Sequence, residues 1–177
     1  MLRPLLSHRA VLAGIALTLG LSACSPRFDW REVRGTDAPF TVLMPAKPST
    51  QARPVNIGGT TVTMTMTAAD VNGLTFAVGS AEFADAAQAA AALDAMKTAL
   101  VRNIGGTILH EQAASAAPPP ATSIRVDAIG PGGNHQQHLF ARLVARDRRV
   151  YQVLVVGAEK AIERDAVDMF LDSFKSP

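Results

Sequence analysis

Histidines are the residues of this sequence best suited to bind a metal ion, and three of them lie beyond the N-terminal segment: His110, His135 and His138. Zinc takes three or four side-chain ligands that converge on one point. A spacing of three places His135 and His138 on one face of a helix but on opposite faces of a strand. Residues 134–139 have the pattern of a strand, so we expect exposed or hydrogen-bonded histidines and no metal site.

Nucleophilic catalysis requires a nucleophile beside a base, and no motif of the sequence builds such a pair. There is no Gly-x-Ser-x-Gly elbow and no Ser-x-x-Lys. The Gly-Gly pairs do not form the Gly-x-Gly-x-x-Gly pattern of a phosphate-binding loop. Two acidic pairs, Glu82 with Asp85 and Asp165 with Asp168, fall at predicted element ends, where negative charge caps a helix or is solvated. We therefore expect no catalytic residue, no cofactor and a function other than catalysis.

Four arginines, Arg142, Arg146, Arg148 and Arg149, follow one predicted strand and its hairpin tip. The two-residue period of a strand puts Arg142 and Arg146 on the same face. Together the four could contact an anionic group of a lipid, a glycan or a protein. The alternative is a solvated edge whose charges discourage pairing with another sheet.

Cys24 is the only cysteine, and the segment before it has the organisation of a secretion signal. Arg3 and Arg9 come before an uncharged run over residues 10–21. This run is shorter than the roughly 20 residues of a membrane-spanning helix. The sequence Leu-Ser-Ala-Cys at residues 21–24 resembles the bacterial lipobox. That resemblance implies cleavage before Cys24, a diacylglycerol thioether on its sulfur and, in many bacteria, a third acyl chain on its amino group. The alternative is an ordinary secretory signal followed by a chance cysteine.

The expected location follows from this anchor. Two acyl chains are enough to hold a protein stably on a membrane. Ser25 follows the cysteine, whereas an Asp is the usual mark for retention at the inner membrane. The resemblance to lipoproteins of Gram-negative bacteria thus predicts an outer-membrane protein that faces the periplasm.

Length and charge exclude other classes of protein. The 177 residues, of which 48% are hydrophobic, suit one globular domain. Seventeen basic residues stand against fifteen acidic ones, and removal of Arg3 and Arg9 with the signal leaves equal numbers. A neutral domain without a basic stripe is not expected to bind nucleic acid.

The predicted organisation has three parts: a signal peptide over residues 1–23, a lipid-anchored tether over 24–39 and one α+β domain over 40–177. Trp30 in the tether either rests at the membrane interface or packs on the domain, and the second is favoured for a single large aromatic residue.

The domain pattern is two strand meanders, each followed by a helix. Alternation over residues 60–68 predicts a half-buried strand between turns at Gly58-Gly59 and Asn72-Gly73. We predict helices over 86–103 and 159–174, and a central, doubly covered strand over 150–156. The other predicted segments are strands over 40–44, 74–78, 108–111, 124–129 and 136–145, an edge strand or irregular stretch between Pro48 and Pro54, and an extended loop at Pro118–Pro120. The fold class is therefore α+β, with an antiparallel sheet of about seven or eight strands and two helices packed on it.

This order of elements resembles the PsbP-like fold, an α/β/α sandwich. The shared features are the Phe-x-x-x-x-Pro start at Phe40, the polar strand at residues 134–139, the Val-Tyr-Gln strand at 150–152 and the Asp-Ser-Phe end of the last helix. The Asp-Trp-Arg-Glu sequence at residues 29–32 is also similar to that of uncharacterised proteobacterial lipoproteins. Members of the PsbP-like fold bind other proteins and are generally not enzymes. The chain lacks the charged N-terminal extension that photosystem members use for docking.

Two functions are expected from these observations. The first is a lipid-anchored accessory module of the cell envelope, attached through Cys24 and bound to an envelope protein. The alternative is a periplasmic small-molecule or lipid-binding protein, with a pocket between sheet and helix near Met64, Met66 and Phe76, because methionine-lined surfaces adapt to ligands.

Overall fold

The computed structural model describes residues 27–116, 121–132 and 135–177. The predicted signal peptide, Cys24, the Pro118–Pro120 loop and Gly133 lie outside these ranges. The strands are β1 (Arg31–Arg34), β2 (Thr41–Met44), β3 (Ser49–Ile57), β4 (Thr60–Val71), β5 (Leu74–Glu82), β6 (Thr107–Ala116), β7 (Ala121–Gly130), β8 (Gln137–Arg146) and β9 (Arg149–Ala158). The helices are α1 (Ala86–Asn103) and α2 (Arg164–Ser173), with a 3₁₀ turn at Glu159–Ala161.

Seven strands form one open antiparallel sheet in the order β3-β4-β5-β9-β8-β7-β6, and β1 pairs with β2 in a separate small sheet. This confirms the predicted α+β class and the predicted number of strands. Strand β9 is the central one, and most of its side chains are buried, as its apolar composition predicted. Strands β3 and β6 are the two edges; β3 carries Pro54, which cannot donate a hydrogen bond to a neighbour on its outer side.

Both predicted hairpin turns of the first meander are present. Asn72 and Gly73 have φ values of 52° and 81°, and Gly58 and Gly59 have 59° and 91°. Two consecutive left-handed residues match the right-handed twist of the flanking strands, which is why Asn-Gly and Gly-Gly occupy these positions.

Helix α1 has the bounds that the sequence predicts. Asp85 caps it, because its Oδ1 accepts a hydrogen bond of 2.8 Å from the backbone N–H of Gln88. Helix α2 is shorter than predicted, since residues 159–161 form a 3₁₀ turn. Within α2 the apolar Met169 is 46% exposed, while Val167 and Leu171 are buried beside Phe170.

The helices lie on opposite faces of the large sheet, and each face has its own core. On the α1 face, aliphatic and alanine side chains of α1 pack on β4, β5, β7, β8 and β9. On the α2 face, α2 and the β1–β2 sheet cover an aromatic core.

Residues assigned to the tether contribute to this second core. Strand β1 pairs with β2 from Arg31 opposite Met44 to Arg34 opposite Thr41. The Trp30 ring packs edge-on against Phe76 at a centroid distance of 6.3 Å. Trp30 thus packs on the domain, which is the alternative that the sequence favoured. The folded domain begins before residue 40, because Phe28 and Trp30 cover part of its aromatic core.

Candidate functional site

The α1 face contains a cavity of about 310 Å³ between the C-terminal half of α1 and strands β3, β4, β8 and β9. We call it the α1 pocket. Its volume lies at the lower end of the range for small-molecule sites, about 300 to 1,000 Å³. Most of its lining is apolar: Val55, Met64, Met66, Met96, Ala99, Leu100, Ile104, Leu139, Leu154 and Val156.

The sequence explains why a cavity forms at this place. The alternation of β4 sends Met64 and Met66 to the α1 face. Towards its N-terminus, α1 faces the sheet with the small side chains of Ala89 and Ala92, whereas Met96 and larger residues follow later. Unbranched methionine side chains have three rotatable bonds and can adapt their conformation to what enters the space beside them.

Three polar side chains belong to the pocket. Arg53 on the edge strand β3 and Asn103 at the end of α1 are exposed. Gln152 lies on the central strand, and its Nε2 is 3.2 Å from the sulfur of Met66. Gly79 makes room for these two side chains, because a Cβ at that position would lie 2.6 Å from the Met66 sulfur. An apolar chamber with a few polar groups is the usual composition of a site for a small organic ligand.

Sequence reasoning placed Met64 and Met66 correctly beside the pocket, but it was wrong about Phe76. Phe76 lies opposite Ala69 in the β4–β5 register, whereas Met66 lies opposite Gly79. Directly opposite residues share a face, so Phe76 belongs to the α2 core. The two-residue Asn72-Gly73 turn fixes this register and was the signal that could have shown it. Gln152, the single polar residue in the run 150–156, was the signal for the pocket-facing side of β9.

The histidines are separated. His138 is buried, with 5% exposure, and its Nε2 is hydrogen-bonded to Asp127. Its ring stacks on Phe140 at 4.2 Å, and the Arg164 guanidinium lies 4.4 Å from the centre of the same phenyl ring. Arg164 also approaches the second oxygen of Asp127 at 3.5 Å.

His110 and His135 do not join His138 at one point. His110 is exposed on β6, and His135 is exposed before β8. Within the described ranges, no three His, Cys, Asp or Glu side chains are grouped so that they could hold a metal ion. The buried imidazole of His138 has the Asp127 carboxylate as its hydrogen-bond partner.

The four arginines divide into two pairs. Arg148 and Arg149, at the β8–β9 hairpin, both contact Glu82, with Arg149 Nη2 at 2.7 Å from the carboxylate. Arg142 and Arg146 share a face, as predicted, and that face carries α2. Because β8 lies inside the sheet, the alternative of a solvated edge does not describe Arg142 and Arg146.

Among the residues that the structure describes, three groups have pKa values that depart clearly from their ordinary values. Hydrogen bonding to Glu111 raises the pKa of Lys97, with a smaller contribution from Asp94. Burial raises the pKa of Tyr151, whose hydroxyl donates to the Pro39 carbonyl at 3.1 Å. Burial lowers the pKa of Arg142, and the positive charge of Arg125 lowers it further. None of these three groups lines the α1 pocket, and among the described residues that do line it Arg53 is the charged one.

Comparison with known proteins adds no family assignment. Models of protein families give no match to the chain, and curated protein sequences give none either. Across residues 27–116, 121–132 and 135–177, neither helix has the length and apolar character of a membrane span.

Proposed function

We propose that the protein is an envelope lipoprotein, anchored through acyl chains on Cys24, that works by binding rather than catalysis. Its ligand in this proposal is a small molecule with an apolar body and a polar or anionic end. The observation that carries the proposal is the α1 pocket of about 310 Å³ with its methionine-rich walls.

The arrangement of the polar residues supports an amphipathic ligand. An apolar chain would occupy the space between Met64, Met66 and Met96, from which it would exclude water. Its polar end would remain near the exposed Arg53 and Asn103. A guanidinium can donate two parallel hydrogen bonds to a carboxylate, so a fatty acid or a comparable acidic amphiphile fits both parts of the pocket.

Native mass spectrometry with added dodecanoate tests this function on the full chain carrying Cys24→Ser, which prevents acylation. We expect a one-to-one adduct with this protein. Ala99→Trp places an indole at the pocket and should remove the adduct. Thr98→Trp is the matched control, because Thr98 is exposed on the same helix and does not line the pocket.

Arg53→Gln should weaken the dodecanoate adduct, whereas Lys47→Gln, a change of an exposed cation outside the pocket, should not. A bare protein mass, or equal adducts with both tryptophan variants, would contradict ligand binding in the α1 pocket.

The lipid anchor has its own test. Cells grown with a radioactive fatty acid should label the wild-type protein and not the Cys24→Ser variant. Equal labelling of both, or recovery of the wild-type protein with a free thiol, would contradict the anchor without affecting the pocket.

A second candidate function is a protein-interaction module, and strand β6 favours it. Within the described ranges, no strand pairs with the outer edge of β6, whose backbone groups are therefore open to an extended segment of a partner. Leu109, which is 49% exposed, lies on this strand beside a groove of about 710 Å³ that reaches Leu171 on α2.

Cross-linking in intact cells would identify a partner at β6. A photoreactive residue at Leu109 should capture it reproducibly, and one at Lys47, away from β6, should not. Capture at neither position would contradict the interaction function.

A further inference from the structure

Arg142 and Arg146 reach a second cavity, of about 260 Å³, at the C-terminal end of α2. We call it the arginine pocket. It is separate from the α1 pocket, since it lies on the opposite face of the sheet. Its polar lining consists of Ser123, Arg142, Arg146, Lys175 and Ser176.

The fold holds the two guanidinium groups and the backbone of Lys175 in place by independent contacts. Arg142 Nη1 donates to the Leu171 carbonyl at 3.4 Å, and Arg146 Nη1 donates to the Ser176 carbonyl at 3.3 Å. The backbone of Lys175 exchanges two hydrogen bonds of 2.9 Å with Thr41, which fixes the position of this residue beside the arginines.

The positive charge of the pocket has little compensation from the residues around it. None of the described residues that line the pocket is an Asp or a Glu. Asp172, a neighbouring carboxylate on α2, pairs with Arg125 at 2.5 Å. Burial lowers the pKa of Arg142 and the positive charge of Arg125 lowers it further, while the negative charge of Asp172 partly offsets both effects.

One donor of Arg146 is enclosed by the protein and is not available to a molecule in the cavity. Its Nε is buried and has no hydrogen-bond partner. Each guanidinium has five N–H donors, and the carbonyl contact described above accounts for one of them in each arginine. Partly buried cations with free donors are stabilised by an anion that accepts from them.

We propose that the arginine pocket binds a small oxyanion, a phosphate or carboxylate group, between Arg142, Arg146 and Lys175, with Ser123 as an additional donor. The oxyanion belongs to a soluble molecule rather than to a lipid headgroup. The first described residue, Arg27, pairs with Glu163 at the opposite end of α2. A ten-residue helix spans about 15 Å, so the pocket is remote from the side on which the N-terminal segment joins the domain.

Isothermal titration of the full chain with inorganic phosphate, and separately with succinate, tests this site. We expect saturable one-to-one binding of at least one of them. Arg142→Gln combined with Lys175→Gln should weaken it about a hundredfold or more, since the loss of each charge-assisted hydrogen bond weakens binding roughly tenfold or more. Arg148→Gln is the matched control, because Arg148 contacts Glu82 and lies outside the pocket.

Further variants keep the proposal testable if the double variant does not fold. Arg146→Lys retains the charge but removes the planar fork, so binding should be weaker than in the wild type. Ala99→Trp, which fills the α1 pocket, should leave phosphate and succinate binding unchanged. The proposal for the arginine pocket can therefore fail or hold independently of the proposal for the α1 pocket.

Two results would overturn the proposal. One is the absence of saturable binding of both anions to the wild-type chain. The other is an affinity of the Arg142→Gln, Lys175→Gln double variant that equals the affinity of the Arg148→Gln control. Sedimentation with vesicles containing an anionic phospholipid tests the source of the oxyanion: pelleting that depends on Arg142 and Lys175 would overturn the assignment to a soluble molecule.

Discussion

The two faces of the central sheet bury their apolar residues in different ways. All nine aromatic residues lie in the described ranges, and eight of them belong to the α2 face, while Phe83 belongs to the α1 face. Aromatic rings on the α2 face contact one another edge to face, as Phe76 and Phe170 do at 5.3 Å. The α1 face is built from alanine, methionine and branched aliphatic side chains, and it contains the α1 pocket.

This difference shows how one sheet can combine rigidity with adaptability. Large flat rings in fixed orientations fill space closely and form the better-packed core. Small and unbranched side chains leave a gap that a ligand can fill. We therefore expect truncation of a buried side chain to cost more in the aromatic core of the α2 face than beside the α1 pocket.

The largest effect is expected from truncation of the aromatic core. Phe76→Ala should lower the free energy of unfolding by about 3 to 5 kcal/mol, because Phe76 is fully buried and contacts three other rings. Urea denaturation followed by circular dichroism measures this loss. A loss below that of Met66→Ala would reverse the comparison between the faces.

A smaller effect is expected on the α1 face. Met66→Ala should cost about 2 kcal/mol, at the low end of the usual range for methionine, since Met66 borders existing empty space and is only partly buried. The same urea titration applies. Dodecanoate should stabilise the wild-type protein more than this variant, and equal stabilisation would contradict a ligand contact at Met66.

The two helix starts provide the next comparison. Asp85→Ala should lower the free energy of unfolding by about 1 kcal/mol, because it removes the side-chain cap of α1. Glu163 makes no capping hydrogen bond to α2 and pairs with Arg27 at the surface, so Glu163→Ala should cost less than about 0.5 kcal/mol. Thermal unfolding of both variants would show whether this order holds.

A small effect at neutral pH is also expected from Tyr151→Phe, which loses one hydrogen bond to Pro39 and should cost less than about 1 kcal/mol. The pH dependence is more informative. Burial raises the pKa of Tyr151 above its unfolded value of about 10, so the folded state retains the proton longer. Wild-type stability should therefore fall as the pH rises above about 10.

In Tyr151→Phe this alkaline decline should be reduced. It should not disappear, because Lys97 also has a raised pKa in the folded state and loses its contribution over the same alkaline range. Unfolding measured between pH 8 and about 11 tests the sign, and an unchanged slope in the variant would contradict it.

Local patterns predicted much of this structure. Asp85 and the alanine-rich run after it set the start of α1, and Asn72-Gly73 set a turn, because both depend on neighbouring residues alone. The bounds of α2 were less accurate because residues 159–161 form a 3₁₀ turn. Within the helix, Phe170 is buried while the equally apolar Met169 is exposed. A hydrophobic pattern does not distinguish these two residues; contact with the sheet does.

The sites were less predictable than the elements. Arg142 and Arg146 were recognised as one strand face, but Lys175 joins them only through the bridge to Thr41 near the other end of the sequence. Arg53 and Asn103 reach the α1 pocket from two elements that are distant in the chain. Contacts of this kind depend on tertiary packing, which no local spacing encodes.

The docking of Phe28 and Trp30 on Phe76 has a mechanical consequence. A force applied at residue 27 would act first on the contacts of these rings and on the ion pair between Arg27 and Glu163. It would reach the seven-stranded sheet only afterwards. If the N-terminus is held by a membrane, these few side-chain contacts would break first under tension. The α1 pocket and the arginine pocket would then keep their shape.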